Sequence, residues 1–246
     1  MKLLLIGAGN MGGAMIKGLK EHDLTVVEQY PPKIEELKKL YRDLKVTDKM
    51  PSFDGYTVIL AIKPQSLDSL KTKGEANALI SILAGVEIKR LKDSIKAKHY
   101  VRAMPNIAAL KQKAVISVCG DKEAKNDALN ILSTIGKCFW LDSENELDIA
   151  TGIGGSAPAW IALVAEALSD GAVKLGLKRD ISYQYAAYLL EGVGEMLKEE
   201  HPAILKDKVS SPGGTTIAGL AKLEEGKVRD AFIKAMEACY KKTKEL

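Results

Sequence analysis

The chain has 246 residues, 46% of them hydrophobic, enough for one large domain or two smaller ones with proper cores, which excludes the disordered and fibrous classes. Its 36 basic and 32 acidic residues leave a net charge of +4 with no dense basic block and little aromatic interleaving, so nucleic-acid binding gains no support. Three widely separated cysteines, Cys119, Cys138 and Cys239, lack paired metal-ligand spacing and predict buried free thiols in a reducing, cytoplasmic setting without a metal centre.

Residues 1–6 begin like a signal peptide, one charge before an apolar run, but the run stops at Gly7 and is too short for one. No run is expected to reach membrane-spanning length, so no membrane association is predicted. Residues 3–6 instead suit a strand buried on both faces of a parallel sheet. Gly7-Ala8-Gly9-Asn10-Met11-Gly12 follows directly and opens an amphipathic helix ending near Glu21. This strand, G-x-G-x-x-G and helix is a dinucleotide fingerprint: a tight turn, a close backbone approach to a pyrophosphate, and close helix–strand packing.

A second strand, residues 25–28, ends in Glu28, where the fingerprint calls for a carboxylate on the ribose 2′-hydroxyl; this argues for NAD. Lys33, in the helix opened by Pro31 and Pro32, could instead help to neutralise a 2′-phosphate. A weak strand near residues 45–46 and a strong one at 57–62 follow. The latter is stopped by Lys63-Pro64, which places Ala61, Lys63 and Pro64 at the carboxyl edge of a doubly wound sheet, where a cofactor lies. For Lys63 a merely solvated side chain is the equal alternative. Residues 78–83 form the next strand, followed by Ala84-Gly85. A helix near 88–94, a strand halted at Met104-Pro105-Asn106, a strand at 114–119, a helix at 123–133 and a short apolar piece at 138–141 complete an α/β domain over residues 1–142.

Residues 143–246 carry helical periodicity and no convincing strand. Helices are expected at 147–151, 158–175, 182–200 and 227–244, with Gly152-Ile153-Gly154-Gly155-Ser156 interrupting the first and Pro158 restarting it. Lys241, Lys242 and Lys244 suit the last helix's C-terminal dipole. The helices at 158–175 and 182–200 are apolar on more than one face, which predicts packing against a second subunit. Between helical segments lies Ser210-Ser211-Pro212-Gly213-Gly214-Thr215-Thr216-Ile217-Ala218-Gly219. With Pro212 in a first helical turn, glycines that admit a ligand and hydroxyls that cap, the stretch reads either as an anion seat or as an ordinary capped helix start.

Taken together, residues 7–12, Ala61-Ile62-Lys63-Pro64-Gln65, Arg102-Ala103-Met104-Pro105-Asn106, residues 151–160, residues 170–177 and residues 210–219 closely resemble the pyrroline-5-carboxylate reductase family, over the whole chain. The resemblance implies an N-terminal Rossmann domain followed by an all-α dimerisation domain that interlocks two subunits, with substrate at the dimer interface; some relatives assemble dimers further. It implies NADPH or NADH reduction of pyrroline-5-carboxylate to proline, by hydride transfer to the C=N carbon. By the same resemblance, Gly214, Thr215 and Thr216 with Ser211 would hold the substrate carboxylate, and Thr216 would also bond the ring nitrogen as the catalytic residue. Glu144 would contact substrate, and Glu199 and Lys208 would lie near the cofactor amide or substrate. Ile6, Gly7, Ala8, Gly9, Asn10, Met11, Ala61, Lys63, Pro64, Ile82 and Ala84 would line the cofactor; Asn106 belongs to the motif without a specific role. Two positions depart from the pattern. Trp160 stands where tyrosine or phenylalanine is usual, and Glu28 replaces the neutral or hydroxyl residue of NADPH-preferring members. A β-hydroxyacid dehydrogenase is the nearest rival, but Lys174 falls too far after Gly155-Ser156 to be its lysine. A catalytically silent nucleotide sensor would not need the carboxylate seat.

Overall fold

The structure, a computed structural model, describes residues 1–245. The chain forms two compact units, one comprising residues 1–156 together with the C-terminal stretch from Cys239, the other residues 157–238.

The first unit is built on an eight-stranded sheet in the order β3-β2-β1-β4-β5-β6-β7-β8. Its strands are β1 (Lys2–Ile6), β2 (Asp23–Val27), β3 (Lys45–Thr47), β4 (Thr57–Leu60), β5 (Ala78–Ser81), β6 (Tyr100–Met104), β7 (Ala114–Gly120) and β8 (Gly136–Trp140). All neighbours pair in parallel except β6 and β7. Strand β1 is apolar because it is central: Leu4 pairs with Thr25 on one side and Val58 on the other. Its side chains alternate between two cores, as a strand covered on both faces must. Leu3 and Leu5 join Met15, Leu19 and Ile131, whereas Leu4 and Ile6 join Phe53, Leu67 and Leu91.

Helices α1 (Asn10–Leu19), α2 (Pro31–Leu40), α3 (Ile88–Ser94) and α4 (Lys125–Leu132) cover the sheet. The turn back from β6 to β7 needs no crossover helix because the pair is antiparallel. After Pro105 a 3-10 turn (Ile107–Lys111) ends at Gln112 in the left-handed region, φ 57°, and the chain re-enters the sheet.

Helix α5 (Glu144–Thr151) does not stop at the glycines. It runs through a π-turn, Gly152–Ser156, into α6 (Ala157–Lys174), so the expected interruption is instead a continuous helix. Proline at 158 has no N–H to give the preceding turn, and a π-turn of glycines and serine absorbs that loss without a break. The resulting run, Glu144–Lys174, is long and apolar enough by length and composition to cross a membrane, its most apolar 18-residue stretch having a mean hydropathy of 1.3. That corrects the expectation that no run reaches this length, which treated the glycine segment as a helix end.

In the second unit α6 packs on α7 (Arg179–Met196). Gly176, at φ 103°, closes α6 with paired bonds from Leu177 N to Ala172 O (3.1 Å) and Gly176 N to Val173 O (2.9 Å). Helices α8 (Pro202–Lys208), α9 (Thr215–Glu225) and α10 (Val228–Thr243) follow. Helix α7 ends four residues short of the expected 200, and His201-Pro202 starts α8, which the periodicity had not separated. Within residues 157–238 only Ser169, Ser182, Ala186 and Leu205 are buried, while Leu163 and Tyr188 are 63% and 72% exposed. Of the cysteines, Cys119 is buried, but Cys138 and Cys239 are half-buried rather than buried as expected. Burial pushes the Cys119 and Cys138 thiols up to about 11.

Candidate active site

The glycine turn lies where the strand order reverses, between β1 and β4, the crevice in which open α/β sheets bind ligands. Each glycine has a different reason to be there. Gly7 sits at φ 93°, and a β-carbon on it would lie 2.7 Å from the Ala61 carbonyl oxygen. At Gly12 a β-carbon would fall 2.1 Å from the Gly7 oxygen, so α1 could not pack against the turn. A β-carbon at Gly9 would meet nothing within 4 Å. Gly9 is also the N-cap of α1 and supplies no side-chain cap, and the first turn holds no acidic residue. Packing therefore explains two glycines, and the third keeps open an uncapped helix start, the seat a pyrophosphate requires. These residues fit a dinucleotide.

The other expected cofactor residues gather on this edge. Ile6 and Ala8 are buried beneath the turn, Asn10 is exposed and Met11 half-buried at the start of α1. Ala61 follows β4, its N–H bonded to the Ile6 oxygen at 2.8 Å; Lys63, exposed, precedes a 3-10 helix opened by Pro64. Ile82 and Ala84 follow β5. Two cavities open along the edge. One, of about 350 Å³, is lined by Gly7, Glu28, Gln29, Ile62, Ser66 and Lys71 among others. The second, of about 230 Å³, is bounded by Ala84, Gly85, Met104, Thr151, Ser156 and Cys239 among others.

Glu28 is not a free carboxylate at the strand end. It accepts bonds from Ala8 N (2.9 Å), Gln29 N (2.8 Å) and Tyr30 N (2.9 Å), tying the glycine turn to the entry of α2. Lys33, the alternative phosphate partner, instead pairs with Glu36 at 2.7 Å.

A partly buried charge cluster underlies the second cavity. The Arg102 side chain, 5% exposed, donates to Glu144 Oε1 (2.6 Å) and Asp148 Oδ1 (3.3 Å), and Lys244 Nζ donates to Asp148 Oδ2 (2.8 Å). Glu144 Oε1 also accepts from Ile88 N at 3.0 Å, capping α3. The Asp148 hydrogen bond raises the Lys244 pKa. Lys244 thus serves a carboxylate on another helix rather than the dipole of its own. Asn106 has a role that sequence reasoning did not assign. Its Nδ2 donates to the Gly154 oxygen (2.8 Å) inside the π-turn, and its Oδ1 accepts from Ala108 N (3.2 Å) and Val115 N (3.4 Å). The proline after Met104 was a visible signal that this motif turns sharply; its partner 48 residues on was not.

The expected carboxylate seat lies in the second unit. Ser211 to Gly214 form a β-turn, Gly214 N to Ser211 O at 3.0 Å, with Gly213 at φ 68°. Pro212 thus occupies the turn rather than the first helical turn as expected, its fixed φ suiting the position before a left-handed glycine. Helix α9 begins at Thr215 with Gly214 as N-cap, no side-chain cap and no acid in its first turn. A β-carbon on Gly214 would lie 2.4 Å from Ser211 Oγ, so glycine there lets the hydroxyl sit at the helix start. Thr216 is half-buried and Thr215 exposed. Lys208 pairs with Glu200, and Glu199 is exposed.

The profile described as pyrroline-5-carboxylate reductase dimerisation matches residues 144–246, and that described as NADP oxidoreductase coenzyme F420-dependent matches residues 2–85. The chain is 37% identical to a pyrroline-5-carboxylate reductase of Synechocystis sp., covering 100% of this chain and 98% of that protein. The chain belongs to the pyrroline-5-carboxylate reductase family. Among solved structures, the reductase from Coxiella burnetii superposes with a TM-score of 0.89 at 28% identity, covering 99% of this chain and 97% of that one. The Plasmodium falciparum pyrroline carboxylate reductase, solved with NADP bound, gives 0.78 at 27% identity, covering 100% and 97%. The sequence resemblance to this family, the Rossmann domain and the helical domain that follows it are thereby established.

Proposed function

We propose that the two uncapped helix starts divide the work of a pyrroline-5-carboxylate reductase, α1 holding the cofactor and α9 the substrate. The chain is an oxidoreductase that reduces L-1-pyrroline-5-carboxylate to L-proline with NAD(P)H, the last step of proline biosynthesis. The observation that carries the substrate assignment is the start of α9, uncapped at Gly214 beside the Ser211 hydroxyl, on a chain matching reductases over its full length.

When bound, the dinucleotide supplies the hydride for the C=N carbon. Ile6 to Met11, Glu28, Ala61, Lys63, Pro64, Ile82 and Ala84 would hold it, with Lys208 a further contact. The backbone N–H groups of Thr215 and Thr216 and the Ser211 hydroxyl take the carboxylate of the ring, as a helix N-terminus favours an anion; the Gly214 N–H, expected to join them, is instead engaged by the Ser211 oxygen. The Thr216 hydroxyl bonds the ring nitrogen. A protonated imine accepts hydride far more readily than a neutral one, so orientation and that one bond are the protein's main contribution, with no strong acid needed. Glu144 reaches substrate through Oε2, since its two bonds use Oε1.

In this reading residues 1–142 serve the cofactor and, Lys208 excepted, residues 143–246 serve dimer formation and substrate. The enzyme works as a cytoplasmic homodimer, supported by the family's dimerisation profile and the nearly coreless second unit. The test is oxidation of NADH and of NADPH by the purified protein with racemic pyrroline-5-carboxylate. Substrate-dependent oxidation with proline as product is expected; a folded protein that binds nucleotide but turns over no imine would overturn the assignment.

A further inference from the structure

The turn after β2 has no backbone donors to spare. The N–H groups of Ala8, Gln29 and Tyr30 all point at the Glu28 carboxylate. Helix α2 then opens with Pro31 and Pro32, neither of which has an N–H to offer. Its next two, on Lys33 and Ile34, both bond the Tyr30 oxygen, at 3.0 and 3.2 Å. The Lys33 ammonium is taken by Glu36. A helix start normally draws an anion, yet this one is supplied with a built-in carboxylate and stripped of the amides that would serve a second. Lys71 is the cation lining the adjoining cavity, and it enters from the segment after β4 rather than from this turn.

We propose that this turn selects the dinucleotide whose adenosine ribose carries a free 2′-hydroxyl, so that the enzyme prefers NADH to NADPH. The inference rests on the cofactor seat assigned above. A ribose hydroxyl donates to the Glu28 carboxylate, whereas a 2′-phosphate brings close to two further negative charges against it and finds its usual amide partners engaged. Charge repulsion at such range, with the backbone donors of the turn engaged, amounts to discrimination of about 30-fold or more.

The experiment is calorimetric titration of the full-length protein with NAD⁺ and with NADP⁺, which reads binding independently of turnover. NAD⁺ is expected to bind at least about 30-fold more tightly, and 5′-AMP to compete better than its 2′-phosphorylated form. In Glu28→Gln, which keeps an oxygen acceptor for the turn, the ratio is expected to fall about tenfold or more, through tighter NADP⁺ binding. If NADP⁺ matches NAD⁺ in the wild type, the inference is overturned. It is equally overturned if Glu28→Gln shifts both affinities by one factor, which marks Glu28 as only a brace for the glycine turn. Should that variant fail to fold, the wild-type ratio and the nucleotide competition decide. Binding of neither dinucleotide overturns the cofactor seat and this inference with it; binding without discrimination overturns the inference alone.

Discussion

A single β-carbon separates two kinds of glycine in the first turn. Because an added methyl at Gly9 meets nothing, Gly9→Ala is expected to fold with an unchanged Tm yet bind dinucleotide about tenfold or more weakly, the methyl standing where the pyrophosphate approaches. At Gly12 the same methyl strikes the Gly7 carbonyl, so Gly12→Ala is expected to lose stability as well as cofactor. Thermal melts and NAD⁺ titrations of the two variants separate these outcomes; equal behaviour would show that the turn's glycines serve packing alone. In the second unit, Thr216→Ala removes one bond worth about 1–3 kcal/mol and is expected to lower kcat/KM by roughly one to two orders of magnitude without moving cofactor affinity. Unchanged kinetics would remove Thr216 from the site. At this scale the sequence was informative wherever a residue's reason is local: a glycine in a tight turn or a carboxylate at a strand end. It was blind where the reason is distant. Nothing near Arg102 in the chain announces Asp148, and nothing near Asp148 announces Lys244.

Among the elements, the central strands β1, β4 and β5 are legible because each is a short apolar run between turn signals, as a strand buried on both faces must be, whereas β3 and β8 at the sheet's edges carry only a weak version of that pattern. The run of helix from α5 into α6 was misread because glycine and proline ordinarily end helices. Here the ending is prevented from outside, by Asn106, whose amide takes the Gly154 carbonyl while its oxygen holds Ala108 and Val115. Asn106→Ala leaves those groups without their partner in a buried place and is expected to cost about 2–4 kcal/mol, read by urea denaturation at fixed protein concentration. A loss below about 0.5 kcal/mol would mean that water or the helix itself satisfies the π-turn.

For the whole molecule, the two units differ in how far one chain can stabilise them. The sheet unit has two full cores, whereas residues 157–238 leave Leu163, Leu175, Tyr185, Tyr188 and Ile233 largely in solvent. Such an apolar surface is of the kind an association site presents, and it lies on the alanine-rich helices for which the sequence predicts packing against a second subunit. If a homodimer covers it, the Tm rises with protein concentration and sedimentation gives twice the mass of the 26.6 kDa chain. A monomer with a concentration-independent Tm would contradict this.

The return of the chain's end to the first unit has a consequence for how the protein is made. All eight strands are synthesised by Trp140, so the sheet can be complete while most of the helical unit is still to come. Cys239, Lys242 and Thr243, which wall the cavity beside Ala84, and Lys244, which answers Asp148, are synthesised only after the whole of residues 157–238. A nascent chain interrupted before Cys239 therefore carries the glycine turn without that wall. The geometry of this cavity thus requires that synthesis has passed through the intervening helices.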